Sequence, residues 1–382
     1  MRGLVVACLL VGLSNPGVPA PRRALDASDP GPRVDAFTRE EMARQRIPGL
    51  ALAVVRHGRV VRTVGYGFAN VEHDVPVTPD TVFQSGSVGK QFTAALVLLL
   101  ADEGRLRLDD PVSQHVEAPA CWNGITLRHL LTHTSGIPEY TDKIDLRRDY
   151  TEAELVRMAG EAPLDFAPGT RWSYSNTAYA VLGAVIRRAS GRFYGDLLRE
   201  RIFQPLGMKT ARVMDEADIV KGRAAGYRLV DSALRNQNWV SPSLNTTADG
   251  ALYLSGNDLA WWAIALDTDA PLEASLRRQM WTPARLADGS VADARGASYG
   301  FGWFLRRHNG HELVDHGGSW QGFQAYIGRF PEHGLTVAAL ANLAGSDPAA
   351  IARRVAELYE PALARGATAV TSPTPASPRP AS

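Results

Sequence analysis

The sequence contains almost no cysteine. Only Cys8 and Cys121 occur among its 382 residues, and Cys8 falls in an N-terminal segment that we expect to be removed. A single remaining thiol cannot form an internal disulfide, so we predict that the fold depends on its hydrophobic core. The position of Cys121 next to Trp122 favours packing over redox chemistry for this residue.

An excess of charge of either sign is also missing. Lys and Arg together number 41 against 40 Asp and Glu, which gives a formal net charge of +1 at pH 7. This balance gives no indication of a nucleic-acid partner or an anionic membrane surface. Arginine greatly outnumbers lysine, so Lys90 is one of very few lysines. The length suits one large domain or two subdomains, and the hydrophobic content of 45% suits a sizeable core.

The apolar run at the N-terminus is too short to span a membrane. Arg2 precedes this run at residues 4–13, and small residues follow it at 18–20. The arrangement is typical of a secretory signal peptide. We therefore predict a signal peptide at residues 1–24 and an exported protein, periplasmic or extracellular. A lipoprotein anchored at Cys8 and a poorly ordered cytoplasmic N-terminus are the alternatives.

Short β-type runs lie toward both ends of the chain. A hairpin with its turn at 57–58 comes first, and a meander with tight turns at 309–310 and 333–334 comes last. We expect the hairpin to join the antiparallel sheet of the meander, because both are too apolar to stand alone. The predicted strands are 50–55, 60–66, 299–306, 312–316, 323–330 and 335–342.

Helical periodicity dominates the region between them, about residues 85–290. Thr151 with Glu154 three positions later has the pattern of a capping box, which predicts a helix start. Residues 365–382 are rich in Ala, Thr, Ser, Pro and Arg, and we predict that they are disordered. Seven helices are predicted with both bounds: 34–46, 126–133, 151–160, 176–190, 193–203, 256–266 and 348–363. Two more are predicted by one end: an Ala- and Leu-rich helix that ends at 103, and a helix that starts at 109–111.

The first candidate for chemistry is the pair Ser87 and Lys90 at the start of the Ala- and Leu-rich helix. Residues three apart on a helix are surface neighbours, so both side chains should face the same spot. A serine hydroxyl needs a nearby base to become a nucleophile, and a partly buried lysine is able to act as that base. The helix N-terminus suits a developing oxyanion. The alternative is that Ser87 caps the helix and Lys90 is solvated.

The second candidate is the pair Tyr174 and Asn176, which precedes another predicted helix. Their spacing lets both side chains point into one cleft from a loop. A tyrosine hydroxyl beside a lysine can relay a proton, and an asparagine amide can bind a substrate carbonyl and orient the lysine. The alternative is a core tyrosine and Asn176 as the helix N-cap.

The third candidate is the segment of residues 315–320 at the end of a predicted strand. Its two glycines let a ligand backbone approach closely. His316 is able to donate a hydrogen bond or carry a charge near neutral pH. The backbone N–H of Ser319, paired with that of Ser87, could form an oxyanion hole. The alternative is a strand-end turn with an exposed histidine.

In these three segments the chain resembles the superfamily of serine β-lactamases and penicillin-binding proteins, in its class C-like branch. Ser87 and Lys90 match the Ser-x-x-Lys motif of that superfamily. Residues 174–176 match the Tyr-x-Asn form of its second motif, and residues 316–318 match a His-x-Gly variant of its third. The resemblance covers about residues 35–360, and the combination of motifs in this order is specific.

The resemblance implies an α/β (α+β) fold in which terminal helices flank an antiparallel β-sheet and a large helical subdomain is inserted. The substrate cleft would lie between the two parts. The boundaries that we predict are a hydrolase domain at 30–364, with a sheet subdomain at about 30–80 and 297–364 and a helical subdomain at about 81–296.

The resemblance also implies acyl-transfer chemistry in which Ser87 attacks a carbonyl and Lys90 and Tyr174 act as coupled bases. An acyl-enzyme would form and water would hydrolyse it. The backbone amides of Ser87 and Ser319 would hold the oxyanion. The implied substrate-binding residues are Asn176, His316, Gly318 and Ser319.

We therefore predict a serine hydrolase that cleaves an ester or amide, such as a D-amino peptide, a β-lactam-like compound or a small carboxylic ester. It would use no cofactor or metal, bind a small molecule or peptide, and have no nucleic-acid partner and no membrane span in the mature chain. The oligomeric state stays open.

One departure from the motif bears on the substrate. Class C β-lactamases carry Lys-Thr-Gly where this chain has His316, Gly317 and Gly318, and the lysine and threonine help to bind a substrate carboxylate. The departure favours ester or D-amino peptide hydrolysis. A β-lactamase or D-Ala-D-Ala carboxypeptidase, and a non-catalytic penicillin or peptidoglycan sensor, are the alternatives.

The predicted helix that holds His129 and His133 is also a candidate zinc site. Their i, i+4 spacing suits zinc, but no Glu follows His129 and no third ligand is evident. We predict packing and capping for both. The neighbouring residues Trp261 and Trp262 are predicted to pack in the core or between the subdomains.

Overall fold

The computed structural model describes residues 30–364, apart from 142, 214–216 and 294–295. The predicted signal peptide and the predicted disordered tail lie outside the described residues. Within the described ranges, no helix combines the length and the apolar character that a membrane crossing requires.

The described residues form α-helices and β-strands joined by loops and 3₁₀ turns. The helices are α1 (Gly31–Gln45), α2 (Lys90–Asp102), α3 (Leu127–Leu131), α4 (Glu152–Gly160), α5 (Asn176–Ser190), α6 (Tyr194–Leu198), α7 (Gly256–Ala265), α8 (Ala274–Met280) and α9 (Pro348–Tyr359). The strands are β1 (Gly49–Arg56), β2 (Arg59–Asn70), β3 (Val75–Pro76), β4 (Phe83–Gln84), β5 (Arg212–Val213), β6 (Tyr227–Val230), β7 (Ala233–Asn236), β8 (Leu252–Leu254), β9 (Ser298–Tyr299), β10 (Phe304–His308), β11 (His311–Trp320), β12 (Phe323–Phe330) and β13 (Leu335–Ala341).

The main sheet has eight strands in the order β3-β2-β1-β13-β12-β11-β10-β9, and the strand pairs are antiparallel. The early hairpin joins the late meander because β1 pairs with β13, with Leu52 opposite Ala339. The predicted fold class, an antiparallel sheet with flanking helices, is therefore confirmed. The boundaries of the two subdomains stay a prediction.

Both faces of the central strands are covered. Along β1, Leu50, Leu52 and Val54 point into one hydrophobic cluster, which α1 and α9 complete. Their neighbours Ala51 and Ala53 point into a second cluster that includes residues of α2 and α7. Successive side chains of a strand point to opposite faces, so a strand buried on both sides needs apolar residues at nearly every position. This explains why β1 is an almost continuous apolar run.

Of three predicted turns and caps, two have the predicted form and one is longer. The hairpin between β10 and β11 has Asn309 and Gly310 as its two central residues, both with positive φ, as predicted. The capping box at Thr151 is also confirmed. The turn after β12 is longer than the predicted tight hairpin, because Pro331–His333 forms a 3₁₀ turn before the left-handed Gly334.

Other predictions were wrong for local reasons. No helix starts at 109–111; a 3₁₀ turn, Val112–Gln114, follows Pro111, which is extended and forms a β-bridge with Thr126. The central region also contains two small sheets, β4-β8-β5 and β6-β7, which the helical periodicity did not indicate.

Two predicted packing residues are exposed. Cys121 is exposed, although Trp122 beside it is buried. Trp261 is likewise exposed, whereas Trp262 packs against Phe92 with ring centroids 4.5 Å apart. Packing was therefore predicted correctly for Trp262 and wrongly for Trp261 and Cys121.

Candidate active site

Ser87 lies in a 3₁₀ turn, Gly86–Gly89, that leads directly into α2. A 3₁₀ helix has three residues per turn, so side chains at i and i+3 eclipse each other. Lys90 is the first residue of α2, and its Nζ lies 3.2 Å from Ser87 Oγ. The structure therefore brings together the two residues of the predicted Ser-x-x-Lys pair, and a cap at Ser87 with a solvated Lys90 is excluded.

The Lys90 side chain is completely buried and surrounded by oxygen acceptors. Besides Ser87 Oγ, Nζ contacts Asn176 Oδ1 at 2.7 Å and the backbone carbonyl of Asp249. The ring of Tyr174 lies with its centroid 4.9 Å from Nζ. Nζ thus joins the first predicted segment to the second.

Asn176 begins α5, and the residue before it caps the helix. Ser175, not Asn176, accepts the N-cap hydrogen bond, from the backbone N–H of Ala178. This leaves the Asn176 side chain free to bind Lys90. The backbone N–H of Asn176 donates to Glu139 Oε2 at 2.6 Å. The alternative role of Asn176 as a helix cap is therefore wrong.

Tyr174 is held in place by a stack of aromatic rings. The imidazole of His133 lies 4.4 Å from its ring centroid, and Nδ1 of His133 accepts a hydrogen bond from the Ser175 backbone N–H. His133 is buried, and this burial holds its pKa well below the usual range. The Tyr174 hydroxyl is buried and has no hydrogen-bond partner among the described residues.

The third predicted segment forms the C-terminal end of β11, as predicted, and β11 crosses the Ser87 turn closely. A Cβ on Gly318 would lie 1.9 Å from the Ser85 carbonyl oxygen and 3.0 Å from the Ser87 backbone nitrogen. A Cβ on Gly86 would lie 2.5 Å from the Ser319 backbone nitrogen. Glycine is needed at both positions because the backbones are in contact. The Ser87 nitrogen therefore lies close to Gly318 and the Ser319 nitrogen close to Gly86, and the oxyanion hole stays a prediction.

His316 is buried and its two ring nitrogens are both engaged. Nδ1 donates to the Gly317 carbonyl at 2.6 Å, since a carbonyl oxygen only accepts. Nε2 therefore accepts from the Tyr299 hydroxyl at 3.1 Å. Burial lowers the pKa of His316 to about 3. The alternative of an exposed histidine is therefore wrong, His316 donates a hydrogen bond and does not carry a charge near neutral pH, and its substrate-binding role stays a prediction.

The cleft lies on both sides of Ser87 and contains residues that the sequence did not single out. One side is formed by residues that include Asn176, Asp249, Gly250 and Ser319. A Cβ on Gly250 would lie 3.0 Å from the Ser87 backbone nitrogen, so this segment also touches the turn. No spacing rule links 249–250 to Ser87, and the only local signal was a loop-forming Asp-Gly pair.

The other side of the cleft is formed by residues that include Ser87, Tyr174, Gly318 and Ser319. The chain therefore brings the predicted catalytic and binding residues to one crevice. His129 and His133 do not form a zinc pair. Nδ1 of His129 accepts from the Thr126 backbone N–H in a capping box, and His133 supports Tyr174 as described above.

Comparisons with known proteins agree with this arrangement. A sequence model of the Beta-lactamase family matches residues 34–360. Penicillin-binding protein 4* of Bacillus subtilis is 29% identical over 75% of this chain and 66% of its own length. A D-aminopeptidase of Gluconobacter oxydans is 29% identical over 81% of this chain and 58% of its own length.

The fold is similar to that of solved structures as well. The octameric penicillin-binding protein homologue from Pyrococcus abyssi has a TM-score of 0.77 and 31% identity, over 87% of this chain and 77% of that one. The chain belongs to the Beta-lactamase family, within the superfamily of serine β-lactamases and penicillin-binding proteins. It spans about three fifths of the length of the curated relatives that it matches.

The contact between Gly318 and the Ser87 turn predicts that alanine substitutions at two neighbouring glycines differ sharply in their effect on the free energy of unfolding. Gly318→Ala forces a methyl group into the backbone of Ser85, and we expect it to lower the free energy of unfolding by about 1–3 kcal/mol. Gly317→Ala meets only the Ala325 carbonyl oxygen at 3.8 Å, an ordinary contact. We expect a change within about 0.5 kcal/mol for this control. Urea unfolding measures both, and equal losses would contradict the close approach.

The low pKa of His316 predicts a specific loss of stability in acid. The unfolded chain takes up a proton on this residue below about pH 6.5, whereas the folded chain does not until about pH 3. Acid therefore favours unfolding between these values. We expect this residue alone to account for about 2 kcal/mol of the stability lost between pH 7 and pH 5.

Urea unfolding of His316→Gln at both pH values measures this contribution. The variant should lose correspondingly less stability than the unsubstituted chain over the same interval. Substitution of the exposed His73 by Gln serves as the control. An acid loss in His316→Gln as large as that of the unsubstituted chain would show that His316 does not stay neutral.

Proposed function

We propose that this protein is a serine hydrolase of the β-lactamase family that cleaves an ester or an amide through an acyl-enzyme on Ser87. The observation that carries the proposal is the contact between Lys90 Nζ and Ser87 Oγ at 3.2 Å, inside a cleft and away from solvent. Such a nucleophile and base within hydrogen-bond reach are the requirement for covalent catalysis by serine.

The partners of Lys90 support its role as the base. Asn176 Oδ1 and the Asp249 carbonyl oxygen only accept hydrogen bonds, so each takes one N–H of the lysine. In a neutral amine with both N–H groups committed, the lone pair remains for the third contact, the Ser87 hydroxyl. The side chain is then oriented to remove the hydroxyl proton as Oγ attacks the substrate carbonyl.

Tyr174 is suited to move the proton onward. Tyr174 lines the same cleft as Ser87, its ring lies beside Lys90 Nζ, and its buried hydroxyl is hydrogen-bonded to neither Lys90 nor Ser87. A phenol without a partner among the described residues is free to bond the leaving group, donate a proton to it as the scissile bond breaks, and recover the proton from Lys90. Water then attacks the acyl-enzyme, and Ser87 regains its proton as the acid product leaves.

Two backbone amides are suited to stabilise the tetrahedral oxyanion. The Ser87 nitrogen lies close to Gly318 and the Ser319 nitrogen close to Gly86, because the two backbone segments touch. Paired, fixed amides of this kind are a large source of transition-state stabilisation in acyl transfer. The position of Ser87 at the N-terminal end of α2 adds the positive end of the helix dipole.

The charges around the cleft favour a substrate without a carboxylate next to the scissile bond. The residues that line the two sides of the cleft include Asp249 and Asp347, and no Arg or Lys occurs in these linings among the residues that the structure describes. His316 stands where class C β-lactamases have the lysine of Lys-Thr-Gly, and it is neutral. A neutral ester, or an amide with a nearby amine as in D-amino peptides, fits this environment best. The D-aminopeptidase among the relatives supports the second substrate class.

The remaining candidates differ in what happens after acylation. A β-lactamase or D-Ala-D-Ala carboxypeptidase would turn over a substrate with a carboxylate, and the penicillin-binding relative favours this reading. A sensor would be acylated without turnover. Export of the protein, predicted from residues 1–24, would place any of these activities outside the cytoplasm.

Substitution of the nucleophile tests the mechanism. Ser87→Ala should abolish hydrolysis of p-nitrophenyl acetate and covalent labelling by a fluorophosphonate probe, because no other hydroxyl contacts Lys90 Nζ among the described residues. Ser346 lines the same cleft, but its hydroxyl donates to the Leu343 carbonyl. Ser346→Ala is therefore the matched control and should retain labelling. Undiminished labelling of Ser87→Ala would refute the assignment.

A comparison of substrates tests the predicted class. We expect kcat/KM for p-nitrophenyl butyrate or a D-alanine p-nitroanilide to exceed that for nitrocefin by at least about 100-fold, the scale of a lost charge pairing in a binding site. The three assays use the same enzyme sample, with Ser87→Ala as the blank. Comparable values for nitrocefin would favour the β-lactamase reading, and labelling without turnover of any substrate would favour the sensor.

A further inference from the structure

A cluster of metal-binding side chains lies at the end of β11 opposite the active-site segment. His311 begins β11, and Glu332 and His333 belong to the turn between β12 and β13. One donor atom from each residue lies within 4.8 Å of the other two. His311 and His316 are five residues apart on one strand, about 17 Å, so this cluster is separate from the Ser87 cleft.

The sheet register explains why these distant residues meet. Strands β11 and β12 pair with Val314 opposite Arg329. Continued toward the turn, the same register brings His311 opposite Glu332. The 3₁₀ turn then carries His333 back toward the sheet, and the two imidazole rings lie with centroids 4.8 Å apart. Strand β11 and the 3₁₀ turn after β12 therefore hold the three residues of the cluster on regular backbone structure.

The hydrogen bond on the far side of His311 fixes which nitrogen faces the cluster. Nε2 lies 3.0 Å from the Ala362 carbonyl oxygen, which only accepts, so Nε2 carries the hydrogen. A neutral His311 therefore directs the Nδ1 lone pair at its neighbours. Metal-binding histidines are typically oriented in this way, by a backbone carbonyl that receives the other ring N–H.

Three electron-pair donors converge at this point. His311 Nδ1 lies 3.0 Å from His333 Nε2 and 3.7 Å from Glu332 Oε2. A proton on His333 Nε2 would satisfy the first contact and would leave the Glu332 carboxylate, which also accepts a hydrogen bond from the Glu312 backbone N–H at 3.5 Å, facing a lone pair. A divalent cation among the three atoms would satisfy both contacts.

The distances fit one zinc ion. Zinc binds imidazole nitrogen and carboxylate oxygen at about 2.0–2.2 Å in tetrahedral geometry, which places two ligand atoms about 3.3–3.5 Å apart. The two separations from His311 Nδ1, 3.0 and 3.7 Å, lie on either side of this value, and the third is no more than 4.8 Å. We infer that His311, Glu332 and His333 form a zinc-binding site, with the fourth position open to water. By linking the β10–β11 hairpin, the β12–β13 turn and the chain segment at Ala362, the ion would stabilise the sheet.

Zinc titration of the full chain, first freed of metal with a chelator, tests this site. Calorimetry with Zn²⁺ at pH 7.5 should show one bound equivalent, and Co²⁺ as a probe should give the visible absorption of a low-symmetry N/O site. His333→Ala and Glu332→Gln should each weaken Zn²⁺ binding roughly tenfold or more. Mg²⁺, which prefers oxygen ligands and octahedral geometry, should not compete at equal concentration.

The control is His308→Ala, which removes another histidine of the same hairpin that is paired with a glutamate, Glu357, outside the cluster. It should leave the zinc affinity unchanged. Zinc should raise the melting temperature of the unsubstituted chain and not that of His333→Ala, since only ligand bound to the folded state stabilises it. Because Glu332 is exposed, Glu332→Gln should fold normally, and it provides the test if a histidine variant is poorly folded.

The inference is overturned if the unsubstituted chain binds no zinc, or if Glu332→Gln and His333→Ala bind it as tightly as the unsubstituted chain does. The outcome is independent of the proposed hydrolase activity. Fluorophosphonate labelling of Ser87 in the same samples reports on that activity separately.

Discussion

The buried nitrogen of Lys90 is the constraint on which the site depends. An amine removed from water needs a partner at each of its positions, because unpaired polar groups in a protein interior are costly. Ser87, Asn176 and the Asp249 carbonyl supply these partners from three separate segments of the chain. Each segment is fixed in turn by its own structure: the 3₁₀ turn before α2, the N-terminus of α5, and the loop that precedes β8.

The sheet supplies the second half of the crevice by contact between backbones. Strand β11 is able to touch the Ser87 turn because glycine occupies positions 86 and 318, where any Cβ would overlap the opposite chain. Such contact keeps its geometry only on a rigid support. The pairing of β11 with both β10 and β12, and the hydrophobic clusters on both faces of the central strands, provide that support.

Short-range patterns in the sequence predicted the parts of the structure that depend on short-range geometry. Ser87 with Lys90, the Thr151 capping box and the 309–310 turn each involve residues within one turn of the backbone. The apolar β1 run predicted a strand paired with β2 in a hairpin, but not that β13 would lie on its other side. Residues 249–250 join the site only through tertiary contact with Gly86 and Ser87, so no spacing could indicate them.

Predictions about environment were less successful than predictions about element type. The sequence around His316 gives no sign that aromatic rings enclose it, and for that reason it left open whether this histidine donates a hydrogen bond or carries a charge. Pro111 carries acidic residues before it, as a helix start does, but its extended backbone pairs with Thr126 instead. The proximity of His311 to Glu332 follows from strand register, which is known only once β11 and β12 are aligned.

The pairing of β1 with β13 bears on how the chain acquires its structure. One edge of β1 finds its neighbour only in a strand encoded near the other end of the domain. During synthesis, an apolar hairpin with unpaired backbone groups therefore has to wait until almost the whole domain has left the ribosome. Contacts between such distant segments slow folding, and an open strand edge invites association with other chains. A nascent chain of this protein would accordingly benefit from a chaperone that shields its first hairpin until the last strand arrives.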